Sequence, residues 1–219
     1  MIELKNITKV FNQNTPREFC AIKELNFSVQ DRDIFFLKGV SGSGKSTVLA
    51  LIAGLYKPTF GEIVINDINI SKLSLKFASK FRRENIGIIF QNFNLIPTFS
   101  VFDNILLPTV PDKSDKKEFA KELLAKFELT NKTQTMAKNL SGGEQQRVAI
   151  IRALINEPSI ILADEPTANL DKALSQKLLE YFLDMQKSGK TVLISTHDPF
   201  LLESGIATNG FDMRKDSLC

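Results

Sequence analysis

The sequence predicts an α/β fold in which helices flank a parallel sheet, with an antiparallel β-subdomain at the N-terminal end, and three observations carry the prediction. Residues 34–37, 86–90, 160–163 and 191–195 are continuous apolar runs, the character of strands buried on both faces, and helical stretches separate them. Residues 2–7, 21–29 and 61–66 instead alternate apolar and polar side chains, as antiparallel strands with one wet face do. Residues 92–158 contain little strand signal, and 116–129 place Ala120, Leu123, Leu124 and Phe127 on one helical face among lysines and glutamates. The whole is expected to be one domain over residues 1–219, with a helical subdomain inserted at about 92–158.

Composition limits what such a chain does. It has 219 residues, 43% hydrophobic and 24% charged, the balance of an ordinary globular protein with a core of its own. With 28 Lys and Arg against 25 Asp and Glu, the net charge of +3 is too small to argue for a nucleic-acid partner, and none is expected. Cys20 and Cys219 lie near opposite ends and form no metal-ligand spacing. Met1-Ile2-Glu3-Leu4-Lys5 does not look like a secretion signal, and no apolar run approaches the roughly 20 residues of a membrane helix. The chain is expected to end without a regulatory domain.

The first motif lies between a buried run and a helix. Gly39-Val40-Ser41-Gly42-Ser43-Gly44-Lys45-Ser46 fits G-x-x-x-x-G-K-[ST] throughout, and Thr47 follows. Its glycines let the backbone curl until its N–H groups converge on phosphate oxygens at the positive end of a helix expected over 47–53. Lys45 is placed to reach the β- and γ-phosphates and Ser46 to ligate Mg²⁺. Ile160-Ile161-Leu162-Ala163-Asp164-Glu165 is an apolar strand ending in two carboxylates. Asp164 suits Mg²⁺, and Glu165 suits polarisation of the attacking water.

The motif that narrows the class is Leu140-Ser141-Gly142-Gly143-Glu144-Gln145-Gln146-Arg147. Here the chain resembles the ATP-binding subunits of ABC transporters, whose signature motif this matches, and the resemblance covers nearly the whole sequence in order. It includes Gln91 after the 86–90 strand, Ala168-Asn169-Leu170-Asp171, and His197 after the last core strand. The implied fold is a P-loop, RecA-like core. The implied roles are a link from Mg²⁺ to a membrane partner for Gln91, γ-phosphate sensing for His197, adenine stacking for Phe11, and nucleotide contact for Asp171. Val40 departs from the proline common in relatives. The segment from Phe211 to Leu218 looks like the family's closing hairpin without its usual glycine.

Ser141, Gly142 and Gly143 precede a helix and so make a second anion-binding terminus about a hundred residues from the first. A single ATP has no use for two such cradles in one chain. The economical arrangement, and the family's, is a head-to-tail homodimer with ATP at the interface. An integral membrane permease is the other implied partner, which places the chain in the cytoplasm against the inner membrane.

Arg82-Arg83-Glu84-Asn85-Ile86-Gly87-Ile88-Ile89-Phe90-Gln91-Asn92-Phe93-Asn94-Leu95-Ile96-Pro97 most resembles the bacterial group of lipoprotein-releasing, macrolide-exporting and cell-division ATPases. Amino-acid importers share part of this segment; the soluble ABC ATPases that act on DNA or ribosomes carry long inserted coiled coils or a second ATPase domain, and this sequence has neither. Phe93, Leu95, Ile96, Phe99, Val101 and Phe102, rimmed by Asn92, Asn94 and Asp103, are expected to form an exposed docking groove for a permease helix.

Overall fold

The computed structural model describes residues 1–168 and 170–213. Asn169 of the Ala168–Asp171 motif, Cys219 and the part of the expected closing hairpin from 214 onward lie outside the described residues.

Two sheets share the chain. Strands β1 (Ile2–Phe11), β2 (Phe19–Val29), β4 (Phe60–Ile65) and β5 (Ile68–Asn69) form an antiparallel sheet in the order β2-β1-β4-β5. Strands β3 (Ile34–Lys38), β6 (Ile86–Ile89), β7 (Ile160–Asp164), β8 (Thr191–Thr196) and β9 (Asn209–Asp212) form a parallel sheet in the order β6-β7-β8-β3-β9. Helix α1 (Lys45–Ile52) follows β3, and α2 (Leu75–Asn85) precedes β6. Between β6 and β7 lie α3 (Val101–Leu106), α4 (Lys117–Lys126) and α5 (Gly142–Leu154), with short 3₁₀ turns and no strand among the described residues. Helix α6 (Lys172–Lys187) precedes β8, and α7 (Pro199–Glu203) follows it.

The apolar runs are buried on both faces because each face of the parallel sheet has its own core. Strand side chains alternate across a sheet, so Phe35, Leu37, Ile160, Leu162 and Leu193 pack with α1 and the antiparallel sheet. Ile34, Phe36, Ile161, Ala163, Val192 and Ile194 pack on the other side with α3 to α6. At about 25 cal/mol per Å² of apolar area removed from water, this two-sided burial is the main force holding the layers together.

Strand β1 runs four residues beyond the alternation that predicts it. Its pairing shifts register between Leu4 and Ile7 and again before Thr8, and Asn6 sits at φ 52°. A bulge swaps the faces of every residue after it, so the second half of the strand reads out of phase. Gly61 is placed opposite, at φ 87°, where an added Cβ would lie 2.3 Å from the Asn6 carbonyl oxygen. Helix α1 also starts earlier than expected, at Lys45, which brings Lys45 and Ser46 into its first turn.

Because β3, β6, β7 and β8 are parallel, their carboxyl ends open on one edge of the sheet. There the chain delivers the phosphate-loop motif, Gln91, the Asp164–Glu165 pair and His197. Crevices at such an edge are where open parallel sheets bind ligands.

Candidate functional site

The loop from Gly39 to Gly44 curls tightly because its glycines adopt backbone angles closed to other residues. Gly44 caps α1 at φ 88°, and a Cβ there would lie 2.9 Å from the Ala21 carbonyl oxygen on β2. The Lys45 side chain, 5% exposed, turns back into the loop. Its ammonium donates to the carbonyl oxygens of Gly39 at 2.8 Å and Val40 at 3.0 Å, and lies 3.2 Å from Glu165 Oε1. Three donors thus have three partners, as a buried ammonium requires.

Glu165 stands at the end of β7 with φ 43°, a conformation unusual for a residue with a side chain. Its amide donates to the Ser195 carbonyl oxygen at 3.1 Å, which fixes the turn against β8. Its carboxylate is nearly buried and meets His197 twice: Nδ1 lies 2.7 Å from Oε1, and the His197 amide donates to Oε2 at 3.3 Å. Lys45, Glu165 and His197 therefore form one connected chain. Beside it, Asp164 Oδ1 accepts from Ser46 Oγ at 3.0 Å and from Ser195 Oγ at 2.5 Å. Ser46 and Asp164 are adjacent hard oxygen donors of the kind Mg²⁺ takes alongside substrate phosphates. Among the described residues, no group of three or more His, Cys, Asp or Glu side chains could hold a metal ion.

The cleft over the loop is lined by Ser41, Gly42, Gly44, Lys45, Ser46, Thr47, Gln91, Glu165 and His197. All were expected from the sequence. Phe19 and Ala21 line it too, and sequence reasoning missed both. The signal was the pairing of Phe19 with Phe11 across the β1–β2 ladder, invisible before the register is known. Phe11 does not line this cleft. Its ring packs edge-on to Tyr56 at 5.4 Å, with Lys9 Nζ 4.9 Å from its centroid.

The signature residues lie elsewhere. Ser141 is the N-cap of α5, its hydroxyl accepting from the Glu144 amide at 3.3 Å while Glu144 Oε2 accepts from the Ser141 amide at 2.8 Å. This capping box satisfies two orphan donors of the helix. The Ser141 N–H, then the nearby Lys132 ammonium, hold the Glu144 carboxyl below its usual range. Gly143 is the residue where a Cβ would meet Leu174 Cδ1 at 2.5 Å, so α5 and α6 approach closely. Asp171 caps α6, accepting from the Leu174 amide at 2.9 Å. Ser141 and Gly142 are exposed, and neither they nor Gly143 nor Asp171 lines the Lys45 cleft of their own chain.

The expected docking patch is only partly exposed. Val101 is fully buried, and Leu95 and Phe102 pack on the core, because α3 amphipathically seals the helical layer. Phe99 remains 39% exposed, with Phe93 and Ile96 half-buried. A groove does lie nearby, but other residues make it: Leu55, Arg82, Ile88, Phe90, Pro108 and Arg152. None of the helices among the described residues is long and apolar enough to cross a membrane.

A parallel α/β core that presents a glycine loop, a lysine, a strand-end Asp–Glu pair and a histidine at one edge defines a P-loop nucleotide hydrolase. The family model for ABC transporters matches residues 22–168, and the chain belongs to that family as an ATP-binding, ATP-hydrolysing cassette. An ABC transporter ATP-binding protein of Mycobacterium tuberculosis is 41% identical over 207 residues, covering 93% of this chain and 83% of its own. The lipoprotein-releasing system ATP-binding protein LolD of Cytophaga hutchinsonii is 41% identical over 186 residues, 83% of this chain and 85% of that one. The methionine import ATP-binding protein MetN of Vibrio vulnificus is also 41% identical, over 93% of this chain and 60% of MetN. Among solved structures, the dimeric post-hydrolysis state of MJ0796 bound to ADP and Pi, a Methanocaldococcus jannaschii protein, superposes with a TM-score of 0.83 at 39% identity, covering 90% and 88% of the two chains.

Proposed function

We propose that this cassette works as a head-to-tail homodimer that binds two ATP molecules and drives a separate membrane permease, of the lipoprotein-release, macrolide-export or cell-division type. The observation that carries the dimer is the exposure of Ser141 and Gly142 at a helix N-terminus remote from their own chain's Lys45 cleft. An anion-binding terminus facing solvent has its use on the phosphates held by a second copy. One relative of this chain, MJ0796, is dimeric in two solved structures.

In the proposed site, the Gly39–Thr47 backbone and Lys45 hold the phosphates, with Ser141, Gly142, Gly143 and Asp171 of the other copy closing over them. Lys45 exchanges its loop carbonyls for phosphate oxygens as ATP enters. Ser46, Asp164 and Gln91 would hold Mg²⁺, which when bound neutralises developing phosphate charge. Glu165 accepts a proton from the attacking water, oriented through its bond to His197, and His197 contacts the γ-phosphate. Phe11 is assigned to adenine stacking by resemblance, and Phe19, which pairs with it across the β1–β2 ladder, is the aromatic that lines the cleft wall. Residues 92–158 form the helical subdomain that carries the signature.

The groove beside Gln91 suits a short cytoplasmic helix of the permease: Leu55, Ile88 and Phe90 give an apolar floor, and Arg82 and Arg152 a polar rim. On this reading the chain works at the cytoplasmic face of the inner membrane, and its partners are a second copy and a permease rather than a nucleic acid. The equal 41% identity to a methionine importer supports import as a second reading. Co-purification of the chain with its membrane protein decides between them. A permease with few spans and a large extracytoplasmic domain supports the first, and a many-span permease with a substrate-binding protein supports the second.

A further inference from the structure

Arg152 lies in the last turn of α5, eleven residues and about 17 Å along the helix from the Ser141 cap. Its guanidinium leaves the helix and crosses to the segment that follows β6. Nη2 donates to the Phe93 carbonyl oxygen at 2.6 Å, and Nη1 to the Asn94 carbonyl oxygen at 2.6 Å. Phe93 and Asn94 both have left-handed backbones, at φ 58° and 50°. Two consecutive residues in that region point their carbonyls side by side, the spacing a planar guanidinium fork bridges with parallel N–H bonds. A bulky residue adopts such angles only where its surroundings impose them. Arg152, partly desolvated, holds both of these carbonyls in place.

Two further contacts make this end of α5 a fixed joint. Asn156, just beyond the helix, donates to the Arg83 and Pro108 carbonyl oxygens. Gly87 of β6 comes so close that a Cβ would lie 2.3 Å from the Ala153 carbonyl oxygen. The helix therefore begins at the signature and ends clamped on the backbone two and three residues after Gln91, which lines the Lys45 cleft.

We propose that Arg152 is a positioning residue that ties the Gln91 loop to the signature helix, so that closure of the signature on a partner's nucleotide sets Gln91 in the chain's own site. The two ATP sites of a dimer are thereby coupled: α5 acts as a rod, and the Arg152 fork passes its displacement to the Phe93 and Asn94 carbonyls. This rests on the head-to-tail dimer proposed above. A lysine at 152 keeps the charge and most of the stem but offers a single point donor, so it holds the pair of carbonyls poorly.

The chain has no tryptophan, so Asn92→Trp, at an exposed position next to Gln91, gives a single fluorescent reporter of the loop. In the Glu165→Gln background, ATP should shift its emission as the dimer forms, and Ser141→Arg should abolish both dimer and shift. Arg152→Lys and Arg152→Ala should still dimerise with ATP but lose most of the emission shift. With Glu165 intact, both should lower kcat by about 10–100-fold, the scale of a small misplacement in an active site, with KM for ATP changed less than about twofold. If Arg152→Ala does not fold, Arg152→Lys decides alone.

A full emission shift in dimeric Arg152→Lys, with kcat near normal, overturns the proposal. So does loss of dimerisation by a folded Arg152→Lys, which would make Arg152 a support of the signature surface itself. An emission shift that survives Ser141→Arg also overturns it, since the signal would then come from the chain's own nucleotide. Failure of Glu165→Gln to dimerise while Arg152 is intact refutes the dimer reading instead.

Discussion

At the scale of single residues, the site is a set of substitutable contacts around one carboxylate. Glu165 is held by Lys45 and by His197, and a positioned general base typically contributes about 10²–10⁴-fold. Glu165→Gln should lower turnover by that order while ATP still binds, because the phosphate contacts of the loop and Lys45 remain. Near-normal steady-state hydrolysis would sink the assignment. Lys45→Ala should behave differently, losing ATP affinity in an equilibrium binding assay, since it deletes a ground-state contact. The identities of both residues were legible from the motif spacing. Their mutual contact was not, because 118 residues or more of chain separate the loop from the end of β7.

Single elements answer to local chemistry and to the layers that cover them. The α5 cap couples Ser141 to Glu144, and Glu144's folded pKa is depressed chiefly by the Ser141 N–H. A depressed carboxylate contributes stability that is present above its unfolded pKa and lost as pH falls through the folded value. Glu144→Gln should therefore lower the melting temperature at pH 7, and the difference from wild type should shrink as the solution is taken below the folded pKa. A gap that persists unchanged in acid would show that the carboxylate's charge is not what caps the helix. Helix α3 gives a contrasting test. Ile105 is fully buried there, so Ile105→Ala should cost about 2–5 kcal/mol, read in a denaturant melt. A cost near zero would mean that α3 is not sealed into the core. The same burial explains why Val101 fails as a docking residue: an apolar residue after a loop looks alike in sequence whether it faces a partner or the core.

Across the whole molecule, the question is what covers the exposed signature. With ATP, Glu165→Gln should migrate as a dimer in light scattering, and adding Ser141→Arg should leave a monomer. A wild-type monomer with full, concentration-independent activity would refute the sandwich arrangement. The proposed docking of a permease helix near Gln91 is tested at the surface. Leu55→Glu and Phe99→Glu, both at exposed apolar positions, should reduce recovery in membranes co-expressing the permease far more than they reduce soluble hydrolysis. Unchanged membrane recovery for Leu55→Glu would remove the groove from the coupling surface, and unchanged recovery for Phe99→Glu would remove the exposed part of the segment after Gln91.

The sequence by itself determined the fold class and most of the residues that line the Lys45 cleft, because these depend on short-range pattern. Apolar runs of 34–37 and 160–163 can only be satisfied by burial on both faces, and the glycines of 39–44 permit a backbone that few other residues can follow. Tertiary structure alone decided what depends on register and on distant approach. A bulge at Asn6 hid the second half of β1, and the ladder that places Phe19 on the cleft wall exists only once that bulge is set. The clamp of Arg152 on Phe93 and Asn94 joins segments 58 and 59 residues apart, which no local pattern encodes. Side-chain type and spacing fix which chemistry a chain can perform, whereas the packing of α5 against β6 fixes which of its parts are held together.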